Sequence, residues 1–197
     1  MKTLSPISSG AVPWLQTGYS LFAADGPDGI QVERLARVMV RNKSGFYHFF
    51  GERDTYFDYL ARYHMEQLND FITDLKTVDS FDPGFLGSVA DHPTNMLFNM
   101  QLIRNRHLSF CADVLAEVHK RLDSYVLPIW TAYFELEQNP VAAKQFYEIM
   151  CDIYSVRMNT RNFNVDVLRK IATESKNTIL ELMHTRRADD LTVTMVA

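Results

Sequence analysis

The stretch Gln31-Val32-Glu33-Arg34-Leu35-Ala36-Arg37-Val38-Met39-Val40-Arg41-Asn42-Lys43-Ser44-Gly45-Phe46-Tyr47-His48-Phe49-Phe50 decides how this chain is read. Val32, Leu35, Ala36 and Met39 recur at i, i+3, i+4 and i+7, the spacing of one helix face. A helix from Gln31 to Met39 is therefore expected. About three residues later a short aromatic helix follows, Lys43 to Phe50, in which Phe46 and Phe50 stand one turn apart and face inward. A preceding helix presents Leu15, Tyr19 and Phe22 and ends near the glycines of Asp25-Gly26-Pro27-Asp28-Gly29. Two short helices joined by so tight a turn, with a third to close their core, have the arrangement of a helix-turn-helix module. In such a module one helix rests across a nucleic-acid backbone while the next fits a major groove.

Outward from this stretch, Phe57, Leu60, Ala61, His64, Leu68, Phe71, Ile72 and Leu75 continue an apolar stripe over several turns. Val141, Ala142, Phe146, Ile149, Met150, Ile153 and Tyr154 form another, with Asn139 placed as N-cap and Pro140 at the first helical position. A last helix is expected from about Asn164 to Thr185, with Leu168, Ile171, Ser175, Ile179, Leu182 and Met183 on one side. No segment alternates with period two between hairpin turns, so the chain reads as all-α, with roughly nine helices. Breaks are expected at Gly26 to Gly29, Asp79 to Ser88, Arg104 to His107, Pro128, and Thr160 to Asn164. Met1 to Ala11 and the tail after Arg187 lack helical periodicity and are expected to be mobile or loosely attached.

The chain has 197 residues, with 20 Lys+Arg against 24 Asp+Glu and a formal charge of −4. Hydrophobic residues make up 47% and charged residues 22%, which argues against a disordered default state. The acidic balance argues against coating nucleic acid by bulk charge. Between Arg34 and Arg53, however, five cations (Arg34, Arg37, Arg41, Lys43, Arg53) face one anion, Glu52, giving a local +4 and leaving −8 elsewhere. Cys111 and Cys151 cannot form a disulfide framework or a four-ligand zinc site, which fits a reducing compartment, most simply the cytoplasm. No apolar signal segment stands at the N-terminus. The longest apolar stretch, Tyr125 to Phe134, is about half the ~20 residues a membrane span needs. His107 and Cys111 could share a helix face, but no third ligand stands at metal-site spacing. There is no Gly-rich phosphate loop, serine elbow or Cys/His constellation, so neither an enzyme nor a bound cofactor is expected.

Leu21-Phe22-Ala23-Ala24-Asp25-Gly26, Val32, Leu35-Ala36 and Lys43-Ser44-Gly45-Phe46-Tyr47-His48-Phe49-Phe50-Gly51-Glu52-Arg53-Asp54 together resemble the N-terminal DNA-binding domain of TetR-family transcriptional regulators. The resemblance covers about 40 residues; the rest of the chain matches only as a helical body ending in two long helices. It implies a DNA-binding domain over residues 1–60 and a ligand-binding and dimerisation domain over 61–197. Lys43, Tyr47 and His48 would face DNA with Arg41 and Ser44 beside them, Asn42 would cap the recognition helix, and Arg53 would reach a phosphate. Gln31 occupies the place where the family caps its second helix with Thr or Ser and touches a phosphate.

Two further positions depart from the family pattern. Val40 stands where the turn wants a left-handed glycine, so the turn is expected to be reshaped. Gly45 removes a side chain from a position that commonly touches DNA. In a body of this kind Met100, His107, Phe110, Trp130, Tyr133, Phe134, Phe146, Met150 and Tyr154 would line a pocket for a small apolar or amphipathic ligand. His107, Asn105, Tyr133 and Tyr154 are its polar candidates, while Arg104 and Arg106 would flank a solvated junction. Asn139 to Met158 and Asn164 to Met183 would form half of an intermolecular four-helix bundle. The resemblance thus implies a ligand-responsive homodimer, most often a repressor, on a palindromic operator, with recognition helices about 34–36 Å apart. The alternative is a small-molecule-binding or interaction protein of the same build whose DNA module has degenerated at Gln31, Val40 and Gly45.

Overall fold

The structure, a computed structural model, describes the backbone of residues 5–194 and the side chains through Ile179 together with Glu181. Among the described residues there are nine α-helices and no strand, as the periodicity predicts. They are α1 (Val12–Asp25), α2 (Val32–Val38), α3 (Lys43–Phe50), α4 (Arg53–Leu75), α5 (Leu86–Asp91), α6 (Pro93–Arg104), α7 (Ser109–Tyr133), α8 (Pro140–Arg157) and α9 (Val165–Thr194). A 3-10 turn, Gly26–Gly29, follows α1, and a π-type turn, Phe81–Phe85, precedes α5.

The first four helices close around aromatic rings. Trp14, Leu15, Phe22, Phe46, Tyr56 and Leu60 are essentially inaccessible to solvent. Phe46 of α3 lies 5.8 Å from Trp14 and 5.0 Å from Tyr56, edge-on or tilted as the ring quadrupoles favour. Tyr56 crosses from α4 to α1, where its hydroxyl donates to the Trp14 carbonyl at 2.8 Å. Gly18 makes that crossing possible, since a Cβ there would sit 1.7 Å from the Tyr56 oxygen.

The α2–α3 turn is not reshaped. Val40 takes the left-handed conformation itself, with φ 52°. The Arg41 N–H donates to the Ala36 carbonyl at 2.9 Å and the Val40 N–H to the Arg37 carbonyl at 3.2 Å, which is the bonding of a Schellman cap. Those two bonds satisfy carbonyls that the end of α2 would otherwise leave open, and they hold a β-branched residue where glycine is favoured.

The expected division near residue 60 falls inside α4, which runs unbroken for 23 residues. The N-terminal helices also share rings with the body. Phe98 of α6 stacks on Phe22 at 4.1 Å, on His64 at 4.2 Å and on Tyr19 at 4.8 Å. Beside this stack the Gln101 amide donates to the Ala24 carbonyl at 3.0 Å, so α6 grips the C-terminal end of α1.

Some expected breaks shift. Pro128 does not interrupt α7, which continues to Tyr133. Buried Val126 and Trp130 on either side hold the helix against the core and offset the missing backbone bond. The break expected from Asp79 to Ser88 is present, with Asp79 and Ser80 outside any helix and Asp82 extended within the π-type turn, but it closes earlier because α5 begins at Leu86. The backbone of α9 continues as helix past Arg187 to Thr194. Leu182 and Met183 lie outside the described side chains. Residues 5–11 are attached: Ala11 is buried, Ile7 packs on the core, and the Arg62 guanidinium donates to the Ser5 carbonyl at 2.9 Å. Breaks at Gly26 to Gly29, at Arg104 to His107 and at Thr160 to Asn164 fall as the sequence predicts. No helix among the described residues is long and apolar enough to cross a membrane.

Candidate nucleic-acid interface and ligand cavity

α3 turns two opposite faces outward and inward. Phe46 and Phe50 are buried in the module, while Lys43, Ser44, Tyr47 and His48 are exposed, with Arg41 and Asn42 exposed just before them. The Asn42 side chain accepts from the Ser44 N–H at 3.1 Å, so it caps the helix as expected. Tyr47 is 51% exposed with no tertiary role for its hydroxyl among the described contacts. This is a short, capped, rigidly backed helix with a polar outer face, the shape a major groove admits.

The electrostatics are weaker than the count along the chain suggests. Glu33, just outside the cationic run, accepts from Lys43 Nζ at 3.0 Å. That bond holds the Glu33 carboxyl below and the Lys43 ammonium above its ordinary range. Arg34 pairs with Asp25. Arg53, read as a phosphate arm, instead donates through Nε to the Ile30 carbonyl and through Nη2 to the Pro27 carbonyl, each at 3.0 Å. Its guanidinium also lies 5.0 Å from the Phe57 ring centre, so its first task is to pin the 3-10 turn to α4. Arg37 and Arg41 have no carboxylate partner among the described residues. Gln31 stands at the N-cap of α2 but does not cap it, and its amide donates to the Asp28 carbonyl at 3.3 Å. Gly45 does not face outward: a Cβ there would meet the Trp14 ring at 3.4 Å.

The body contains a partly enclosed cavity of about 110 Å³, walled by α4 to α9 and the π-type turn. Of the nine expected lining residues, Met100, Trp130 and Tyr154 are in its wall. Phe134 lies behind Trp130, stacked at 5.2 Å, with Phe146 packed on its far side at 4.7 Å. Met150 is fully buried away from the wall. Tyr133 stacks on Phe81 at 3.9 Å, and Phe110 packs on Phe57 at 4.9 Å, toward the N-terminal helices. His107 is exposed in the α6–α7 turn, so it cannot line the cavity or share a site with buried Cys111. The Asn105 amide closes the end of α6 on the Gln101 carbonyl at 2.9 Å. Arg104 is half-buried and donates to the Ser155 and Met158 carbonyls, capping the end of α8. Arg106 pairs with Asp152 on the surface.

The residues missed in the wall include Phe71, Phe85, Leu86, Val89, Met96, Asn99, Ile103, Leu115, Val118, His119, Leu122, Val126, Tyr147, Cys151 and Leu168. Leu115, Val118, Leu122 and Val126 were legible as an α7 stripe. Nothing in their spacing separates a cavity wall from solid core. Among the described residues no Asp, Glu, Lys or Arg lines the cavity. Of its polar groups, the Tyr154 hydroxyl donates to the Leu168 carbonyl at 3.0 Å. Burial pushes the Cys151 thiol up to about 12 and the Tyr147 hydroxyl well above its ordinary range, so both stay neutral.

Asn99 links this wall to α1. Its Oδ1 lies 2.9 Å from His64 Nε2, and His64 Nδ1 lies 2.9 Å from the Tyr19 hydroxyl. His64 has no solvent exposure, and burial lowers it to about 4, so it is neutral with one N–H. An amide oxygen only accepts, which places that proton on Nε2 and makes Tyr19 the donor to Nδ1. Asn99 Nδ2 in turn reaches Asn95 Oδ1 at a long 3.4 Å, and the Asn95 amide, whose Nδ2 is buried without a partner at ordinary hydrogen-bond geometry among the described residues, lies beside the Tyr19 hydroxyl. Among the described residues no group of three or more His, Cys, Asp or Glu is placed to hold a metal. No family model, curated protein or solved structure matches the chain.

Proposed function

We propose that this chain is a ligand-responsive, homodimeric DNA-binding transcriptional regulator of the TetR type, acting as a repressor on a palindromic operator. The observation that carries the reading is α3: eight residues, capped by Asn42, backed by Trp14, Phe46 and Tyr56, and offering Lys43, Ser44, Tyr47 and His48 outward. Arg37 and Arg41, without carboxylate partners among the described residues, supply charge for phosphates beside it. The apolar cavity in the body suits a small effector. Val141, Ile149 and Val156 are exposed along α8, an apolar surface that a second copy would bury in a bundle of α8 and α9.

A specific observation favours a second reading. Arg34 is engaged by Asp25, Lys43 by Glu33 and Arg53 by backbone carbonyls, so three of the five cations are already committed. A protein that keeps the cavity and has lost its operator would look like this.

Selection from a random duplex pool, followed by gel shifts over a salt series, separates the two. The regulator reading expects a palindromic consensus, and log affinity falling with log salt by roughly 0.9 for each phosphate neutralised. Lys43→Ala and Tyr47→Ala should each weaken binding at least tenfold, and light scattering should give twice 22.8 kDa. Binding without sequence preference, or none, would select the second reading.

A further inference from the structure

Six residues in the cavity wall carry a nitrogen, an oxygen or a thiol in their side chains, yet the surface they offer to the space is almost wholly apolar. Each of these groups is engaged elsewhere or covered. The Tyr154 hydroxyl donates to the Leu168 carbonyl at 3.0 Å. The Tyr147 hydroxyl and the Cys151 thiol are hydrogen-bonded to each other. Asn99 Oδ1 lies 2.9 Å from His64 Nε2, and its amide nitrogen reaches along α6 to Asn95. Trp130 Nε1 is buried. His119 is half-buried, with its ring 6.5 Å from that of Tyr147. It is the wall residue whose ordinary charge change falls near neutral pH. So little of the cavity surface is polar that His119 presents chiefly ring carbon to it.

A guest that entered with a charge or a hydrogen-bonding group would give up its hydration and gain no partner in exchange. A cavity lined in this way also stays dry, which leaves no water to bridge a polar guest to the wall. At about 110 Å³ the space is somewhat smaller than the ~150 Å³ apolar cavity that admits benzene, which sets the guest near one ring. Met96 and Met100 stand in the wall, and their unbranched, adaptable side chains can yield the difference.

We propose that the cavity binds a compact hydrocarbon of about one ring and rejects amphiphiles, its selectivity lying in the lack of any free polar group rather than in a polar contact. This rests on the ligand-responsive reading above, in which the guest is the effector.

Four probes test this on the full chain at pH 7.5. Benzene and pyridine have one shape and one heavy-atom count and differ by a single acceptor nitrogen, while cyclopentylammonium and pentanoate are compact ions. Binding is followed by the rise in melting temperature and by NOEs from the guest to the methyl groups of Leu115, Val118 and Leu122 on α7. Benzene should bind and give those NOEs. Pyridine should bind at least about tenfold more weakly, because its nitrogen is desolvated without a donor, and the two ions at least about a hundredfold more weakly. Val118→Phe fills the space from α7 and should abolish benzene binding; if that variant does not fold, the wild-type NOEs decide the location. His119→Leu should leave the order of the four probes unchanged. Equal binding of pyridine and benzene, tight binding of either ion, benzene bound without NOEs to those methyl groups, or no benzene binding would each overturn the proposal. Pentanoate binding that His119→Leu removes would do so by showing an amphiphile anchored on His119. No DNA enters the experiment, so a missing operator refutes the regulator reading and leaves this result standing, and the converse also holds.

Discussion

Replacing Val40 by glycine should make the protein more stable, which is unusual for removing an apolar side chain. An L-residue held in the left-handed region costs about 1–2 kcal/mol, because its Cβ crowds the following carbonyl. Val40 sits there at φ 52°, locked by the paired bonds of the Schellman cap. At 92% exposure its side chain contributes almost no burial to set against that cost. Glycine has a more disordered unfolded chain, which takes back about 0.4–1 kcal/mol. The balance is a gain of roughly 0.5–1 kcal/mol, or about 1–4 °C in melting temperature for a chain of this size. Thermal unfolding followed by circular dichroism at 222 nm, at fixed protein concentration, measures it. Val40→Ala is the control: it removes the branch and keeps the Cβ, so it should recover less than glycine. A glycine variant no more stable than wild type, or an alanine variant equal to it, would refute the claim that the backbone at Val40 is strained.

Other perturbations follow from the same packing. Gly18→Ala drives a Cβ to 1.7 Å from the Tyr56 hydroxyl and should cost about 3 kcal/mol in urea unfolding, with Tyr56→Phe in the same background recovering part of it. Gly45→Ala should instead stabilise by about 0.5–1 kcal/mol, since its Cβ meets Trp14 at an ordinary 3.4 Å inside a helix. Asn42→Ala removes the α3 cap and should cost about 1 kcal/mol in the same assay. His64 is held neutral with its pKa lowered to about 4, against about 6.5 unfolded, so its contribution is complete above pH 6.5 and is lost as pH falls toward 4. Between pH 8 and pH 5 the wild type should lose about 2 kcal/mol through this group, and His64→Phe should flatten that part of the profile.

Helix positions are legible in this chain because they depend on neighbours one turn away. Lys43 to Phe50 stands where the aromatic spacing puts it, and Asn139 and Asn42 cap as their side-chain chemistry dictates. Pro128 was misread for the same reason: its local penalty is real, but Val126 and Trp130 are held by partners distant in sequence. The outward face of α3 is likewise a matter of period. The lining of the cavity is not, because Trp130 in the last turn of α7 and Phe134 just past its end stand four residues apart and only Trp130 meets the space.

By itself, the sequence determined the all-helical class, the short turn between α2 and α3, and which residues of α3 point inward, since each is set by local propensity and the 3.6-residue period. Only the tertiary structure decided that Glu33 engages Lys43, that Arg53 holds backbone carbonyls, and that Tyr19, His64 and Asn99 form one hydrogen-bonded chain beside a cavity. A charge or a hydrogen-bonding group is neutral to the helical period. What it does depends on the partner that folding brings within about 3 Å, and that partner can lie anywhere along the chain.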